Sequence, residues 1–253
     1  MKHFYYFFIG ALCILFLNAC ATYQTQFENA NFNPQFPDKE ISHSFYLIGD
    51  AGNSPIGSKS ETIQGFEKEL AGATKNSTVL FLGDNIYDKG MPEKGNVKRT
   101  FAEHQLNVQT DAVHDFKGQT IFIPGNHDWY SGLKGLKRQE TYVEDKLGKG
   151  AFLPANGCPI EKVDISDDVE LLIIDSEWYL TNWDKHPTIN DDCEIRTRVK
   201  FFEEFESLIK KARGKTTLIA LHHPMFSNGP HGGQYSFGSH LKPLPVLGTL
   251  KNI

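Results

Sequence analysis

Four short apolar runs in this chain each stop at polar residues able to bind a metal or move a proton. Phe45-Tyr46-Leu47-Ile48 runs into Gly49-Asp50, and Val79-Leu80-Phe81-Leu82 into Gly83-Asp84-Asn85-Ile86-Tyr87. Ile121-Phe122-Ile123-Pro124 runs into Gly125-Asn126-His127-Asp128, and Leu218-Ile219-Ala220-Leu221 into His222-His223-Pro224. Runs of that length bounded by turn residues read as buried strands, and open α/β sheets form their ligand crevice at the carboxyl ends. Val169 to Asp175 reads as a further buried strand. Helical spacing lies between the runs. One helix is predicted from about Ser58 to Ala71, with Ser60 as N-cap candidate and Ile63, Phe66 and Leu70 on one face. Others are predicted over Val97 to Val108, Leu136 to Leu147 and Glu194 to Arg213. In the last of these Val199, Phe202, Leu208 and Ile209 sit near helical spacing, and Gly214 stands where a C-cap glycine belongs. The segment 151–168 reads as irregular, and Trp178 to Asp192 as a loop rich in aromatic and polar residues. Alternating strands and helices predict an α/β layered fold.

The 253 residues, about 40% hydrophobic, suit a single globular domain with a sizeable core. A formal net charge of −5 and the lack of a basic run argue against a nucleic-acid partner. At the N-terminus Lys2 and His3 precede an apolar stretch from Phe4 to Leu17, too short to span a bilayer comfortably but suited to a signal-peptide core. It ends in Leu17-Asn18-Ala19-Cys20, which resembles the lipobox of bacterial lipoproteins. The expected organisation is a signal peptide over 1–19, a tether over 20–42 headed by a lipidated Cys20, and one domain over 43–253. That predicts a lipid-anchored protein of the bacterial cell envelope, periplasmic or at the cell surface, held to the membrane without spanning it. Of four cysteines, Cys158 and Cys193 remain in the domain, either as two thiols or as the disulfide that an exported context permits.

The strand ends gather Asp50, Asp84, Tyr87, Asn126, His127, Asp128, His222 and His223. Carboxylates, an amide oxygen and imidazoles form a mixed donor set that suits iron, manganese or zinc better than magnesium or calcium. Two such metals bridged by a strand-end carboxylate can activate water and neutralise phosphate oxygens, while a nearby His protonates the leaving alcohol. Each residue has a bland alternative: Asn126 as a turn former, Tyr87 as a half-buried aromatic, His222 as a core histidine bonded to a carbonyl. Four ligand-bearing strand ends in one chain weigh against all of these holding together.

Gly49-Asp50, Gly83-Asp84-Asn85-Ile86-Tyr87, Gly125-Asn126-His127-Asp128 and His222-His223-Pro224 resemble the ordered motifs of the calcineurin-like metallophosphoesterases. Asp84-x-x-Tyr87 further resembles the purple acid phosphatases of the tartrate-resistant type. The resemblance implies a four-layer α/β/β/α sandwich and hydrolysis of phosphate monoesters by a metal-bound hydroxide at a dinuclear Fe(III)–M(II) centre, with Fe(II), Zn or Mn as the second metal. It implies a ferric site held by Asp50, Asp84 and Tyr87, with Asp84 bridging to a site held also by Asn126 and His222. It gives His127 the role of phosphate contact and general acid, oriented by Asp128, and makes His231 a second substrate-binding histidine. The implied substrate is a phosphate-ester small molecule or a phosphoprotein. The family's closing Gly-His-x-His is absent, so the domain is expected to be incomplete at its C-terminus. Two alternatives stand: a phosphodiesterase or nucleotidase of the same superfamily, and a catalytically dead envelope binding module. His43, His104, His114 and His186 fall outside the motifs and read as surface residues.

Overall fold

The computed structural model describes residues 39–181 and 191–225. Cys20, Trp183, His186 and His231 lie outside these residues. The elements run β1 (Ser44–Ile48), α1 (Glu61–Leu70), β2 (Ser77–Phe81), α2 (Arg99–Ala112), β3 (Gln119–Phe122), α3 (Asn126–Trp129) and α4 (Gly132–Leu147). After a short 3₁₀ turn come β4 (Ile160–Asp164), β5 (Val169–Ile174), α5 (Ser176–Leu180), α6 (Arg198–Lys211) and β6 (Thr216–Ala220). Strands β1, β2 and β3 form a parallel sheet in that order, with Ile48 aligned on Phe81 and Phe81 on Phe122. A second sheet has the order β4-β5-β6, antiparallel then parallel. The fold is mixed α/β.

Period-two alternation sorts the strand side chains. Leu80 and Ile121 from the first sheet, with Ile123 just beyond β3, share a buried cluster with Leu171, Ile173 and Ala220 from the second. Their neighbours Val79, Phe81 and Phe122 point the other way, into a cluster with Ile63 of α1, Leu106 of α2 and Leu136 of α4. There the aligned rings of Phe81 and Phe122 stack with centroids 4.0 Å apart. Helix α1 starts where its cap predicts, since Ser60 Oγ accepts from Ile63 N at 3.3 Å.

The structure corrects the sequence reading in three places. Within the supposedly irregular 151–168 lies β4, an edge strand whose Glu161, Lys162 and Asp164 hide the apolar alternation. Within the supposed aromatic loop, α5 runs to Leu180 with Trp178 fully buried, because Asp175 Oδ1 accepts from Trp178 N and caps the turn. Helix α6 begins at Arg198 rather than Glu194, capped by Thr197 Oγ1 accepting from Lys200 N. Just before it, Cys193 is tied to Cys158 in a disulfide with Cα atoms 5.6 Å apart. Its inward face is Phe201, Phe205 and Leu208, whereas Val199 and Phe202 are 68% and 52% exposed.

Candidate metal centre

Because β1 and β2 run in parallel register, the turns beyond them lie side by side. Leu82 N donates to Ile48 O, Asp50 N to Gly83 O at 3.1 Å, and Gly52 N to Asp84 O at 3.0 Å. Asp50 and Asp84 both take left-handed backbone, φ 55° and 53°, which short polar residues tolerate better than most and which concentrates at functional sites. Gly83, at φ +91°, permits the closest approach. A Cβ there would lie 2.7 Å from both Gly125 N and His222 Nδ1, so the three ligand-bearing turns meet only because that position is bare.

Among the described residues, Asp50, Asp84 and His222 present ligand atoms that all lie within 4.8 Å of one another. His222 Nδ1–H donates to Leu82 O at 2.8 Å, which leaves the Nε2 lone pair facing inward. That lone pair meets Asn126 Oδ1 at 3.2 Å and Asp84 Oδ1 at 3.5 Å. Asn126 turns its oxygen that way because its Nδ2 donates to Tyr130 OH at 2.6 Å. The Tyr87 hydroxyl lies 2.8 Å from Asp50 Oδ1 and 3.0 Å from Asp84 Oδ2. Burial, and then the two carboxylates, hold the Tyr87 proton far above the ordinary phenol range. Carboxylates, an amide oxygen and an imidazole lone pair thus converge on one point with few protons between them, an arrangement that a cation satisfies. The donor set fits a bound metal.

His127 is held between rings, 4.3 Å from Tyr87 and 4.8 Å from Tyr130 by centroids. Its backbone N donates to Asp84 Oδ1 at 2.9 Å and its Nδ1 donates to the Asp88 carbonyl at 2.6 Å. Nε2 is left 3.9 Å from Asp84 Oδ2. The Asp88 carbonyl, rather than the Asp128 carboxylate, therefore orients this imidazole. Asp128 is fully buried and accepts from Asn85 N, Ile86 N, Gly125 N, Asn85 Nδ2 and Gln139 Nε2. It locks the second and third motif turns together. Burial pushes its carboxyl up to about 6, against the pull of the Gly125 amide and Gln139.

Two features of the crevice escaped the sequence reading. Glu177, on α5, is only 5% exposed, and burial pushes it up to about 7 with Asp84 adding and His222 and His127 opposing. Ser176 Oγ accepts from His223 N at 3.2 Å and bonds His223 Nδ1 at 2.8 Å, pinning the segment that carries His222. The signal was present: Val169 to Asp175 is a fifth apolar run that ends in an acid, followed by Ser176 and Glu177. Trp178 packs in the core, and Tyr179 lies against Phe201 and Phe202 with Arg198 4.7 Å over its ring, so neither rims the crevice.

A family model described as calcineurin-like phosphoesterase matches residues 43–246. The chain belongs to that family, a class of hydrolases that work through a dinuclear metal centre. A search of curated proteins found no match.

Proposed function

We propose that the protein hydrolyses phosphate monoesters at an Fe(III)–M(II) centre of the purple acid phosphatase type, the second metal being Fe(II), Zn or Mn. The observation that carries this reading is the Tyr87 hydroxyl lying between Asp50 and Asp84, at 2.8 and 3.0 Å. A phenol is a poor ligand for divalent ions at neutral pH, whereas a trivalent ion binds it readily as phenolate. Asp50, Asp84 and Tyr87 would hold the ferric ion; Asp84, Asn126 and His222 would hold its partner. When bound, the metal pair supplies Lewis acidity toward the phosphate oxygens and an activated water.

The chain's own groups do the rest. His127, its Nδ1 proton committed to the Asp88 carbonyl, carries a second proton on Nε2 and delivers it to the leaving alkoxide. Asp128 acts by holding the turns that carry Asp84 and His127. His231, outside the described residues, is assigned to the phosphate-binding wall. The substrate class is a phosphorylated small molecule or a phosphoprotein, met outside the inner membrane by an enzyme anchored through Cys20 and without a nucleic-acid partner.

The test is to purify the protein, count its metals, record its visible spectrum and compare p-nitrophenyl phosphate with its diester analogue. Two metals, a visible charge-transfer band that Tyr87→Phe removes, and faster turnover of the monoester are expected. A colourless enzyme that prefers the diester would overturn the purple monoesterase reading in favour of a phosphodiesterase.

A further inference from the structure

Resting on that reading of the crevice, we propose that Tyr130 is a positioning residue that sets both Asn126 and His127. It stands one residue beyond α3, at the C-cap of the one-turn helix on which both groups sit. Its side chain makes two separate contacts. The hydroxyl accepts from Asn126 Nδ2 at 2.6 Å, and the ring meets the His127 imidazole at 4.8 Å with a 53° tilt. Tyr87 covers His127 from the other side at 4.3 Å and 55°.

The first contact decides which end of the amide faces the ligands. Asn126 can offer a metal either its oxygen or its NH₂, and only the oxygen has a lone pair to give. An acceptor on the outer side of the amide keeps the NH₂ turned outward and leaves Oδ1 beside His222 Nε2. The second contact restricts the imidazole to the slot between two phenol rings. In that slot Nδ1 reaches the Asp88 carbonyl and Nε2 faces Asp84. Tyr130 is 52% exposed, so its presence is not explained by the core; it is an aromatic spent on the rim of the crevice. One side chain thereby couples metal affinity to the placement of the proton donor.

The two contacts can be separated by substitution. Tyr130→Phe keeps the ring and removes the acceptor; Tyr130→Ala removes both. Mn²⁺ is titrated calorimetrically into demetallated wild type and each variant, with thermal unfolding as a check that the exposed substitutions leave the fold intact. Both variants should bind the metal about tenfold more weakly, the usual effect of removing a partner of a metal ligand. At saturating Mn²⁺, Tyr130→Phe should recover wild-type kcat. Tyr130→Ala should not, and its deficit should be larger for alkyl phosphates, which need a proton on the leaving group, than for p-nitrophenyl phosphate. Wild-type Mn²⁺ affinity in Tyr130→Phe, with a wild type that binds metal, overturns this proposal and leaves the phosphatase reading intact. A wild type that takes up none of Mn²⁺, Zn²⁺ and Fe²⁺ overturns both.

Discussion

Asp128 illustrates how a residue inside a recognisable motif can work differently from its position in the sequence. It looks like a partner for the adjacent His127, yet its two oxygens accept from three backbone amides and from the side chains of Asn85 and Gln139. Asp128→Asn would turn one acceptor into a donor facing donors. A loss of about 2–3 kcal/mol is expected, measured by denaturant unfolding of the metal-free protein. The His127 hydrogen bond to Asp88 should survive. Asp84→Asn should behave oppositely, with near-normal stability but metal content and activity lost together; retained activity would remove Asp84 from its bridging role. The side chains that gather in the crevice were legible because each follows an apolar run. The Asp128 clamp was not, because its donors Asn85 and Ile86 lie some forty residues away in the chain and meet it only once the sheet is registered.

At the scale of elements, local signals decided more than composition. Ser60 announced α1 because a cap is a short-range device. Helix α6 misled because the sequence Val199-Lys200-Phe201-Phe202 carries two interleaved stripes, and adjacent phenylalanines satisfy either. Packing chose Phe201, Phe205 and Leu208. Phe201→Ala should therefore cost about 3–5 kcal/mol in chemical denaturation, while Phe202→Ala should cost well under half of that. Thr197→Ala should remove about 1 kcal/mol through its cap. Strand β4 was unreadable for the reason edge strands usually are: charge placed to prevent mispairing also erases the pattern.

Over the whole molecule, buried acids give stability a pH slope. Asp175, fully buried and accepting from Trp129 Nε1 and Trp178 N, is pushed up to about 8 by that burial. Between about pH 4 and 8 the folded state then holds a proton that the unfolded chain releases, so stability falls as pH rises. Asp128 and Glu177, pushed up to about 6 and about 7, add the same sign. The melting temperature of the metal-free protein should decline from pH 5 to pH 8, and Asp175→Asn should flatten the decline. Reduction of Cys158–Cys193, 35 residues apart in sequence, should cost about 3–4 kcal/mol.

The candidate ligands are drawn from both sheets: Asp50, Asp84 and Asn126 follow β1, β2 and β3, while His222 follows β6. An ion held by that set would be a rivet through two layers otherwise joined by an apolar cluster and a few hydrogen bonds such as His222 to Leu82. Its binding energy enters the equilibrium between folded and partly opened forms, deepening with free metal as RT ln(1 + [L]/Kd). Amide protons of β6 should therefore exchange more slowly with deuterium when metal is added, in step with those of β2, while those of the edge strand β4 change least. Loss of metal would act as a loosening of one layer from the other as well as a loss of chemistry.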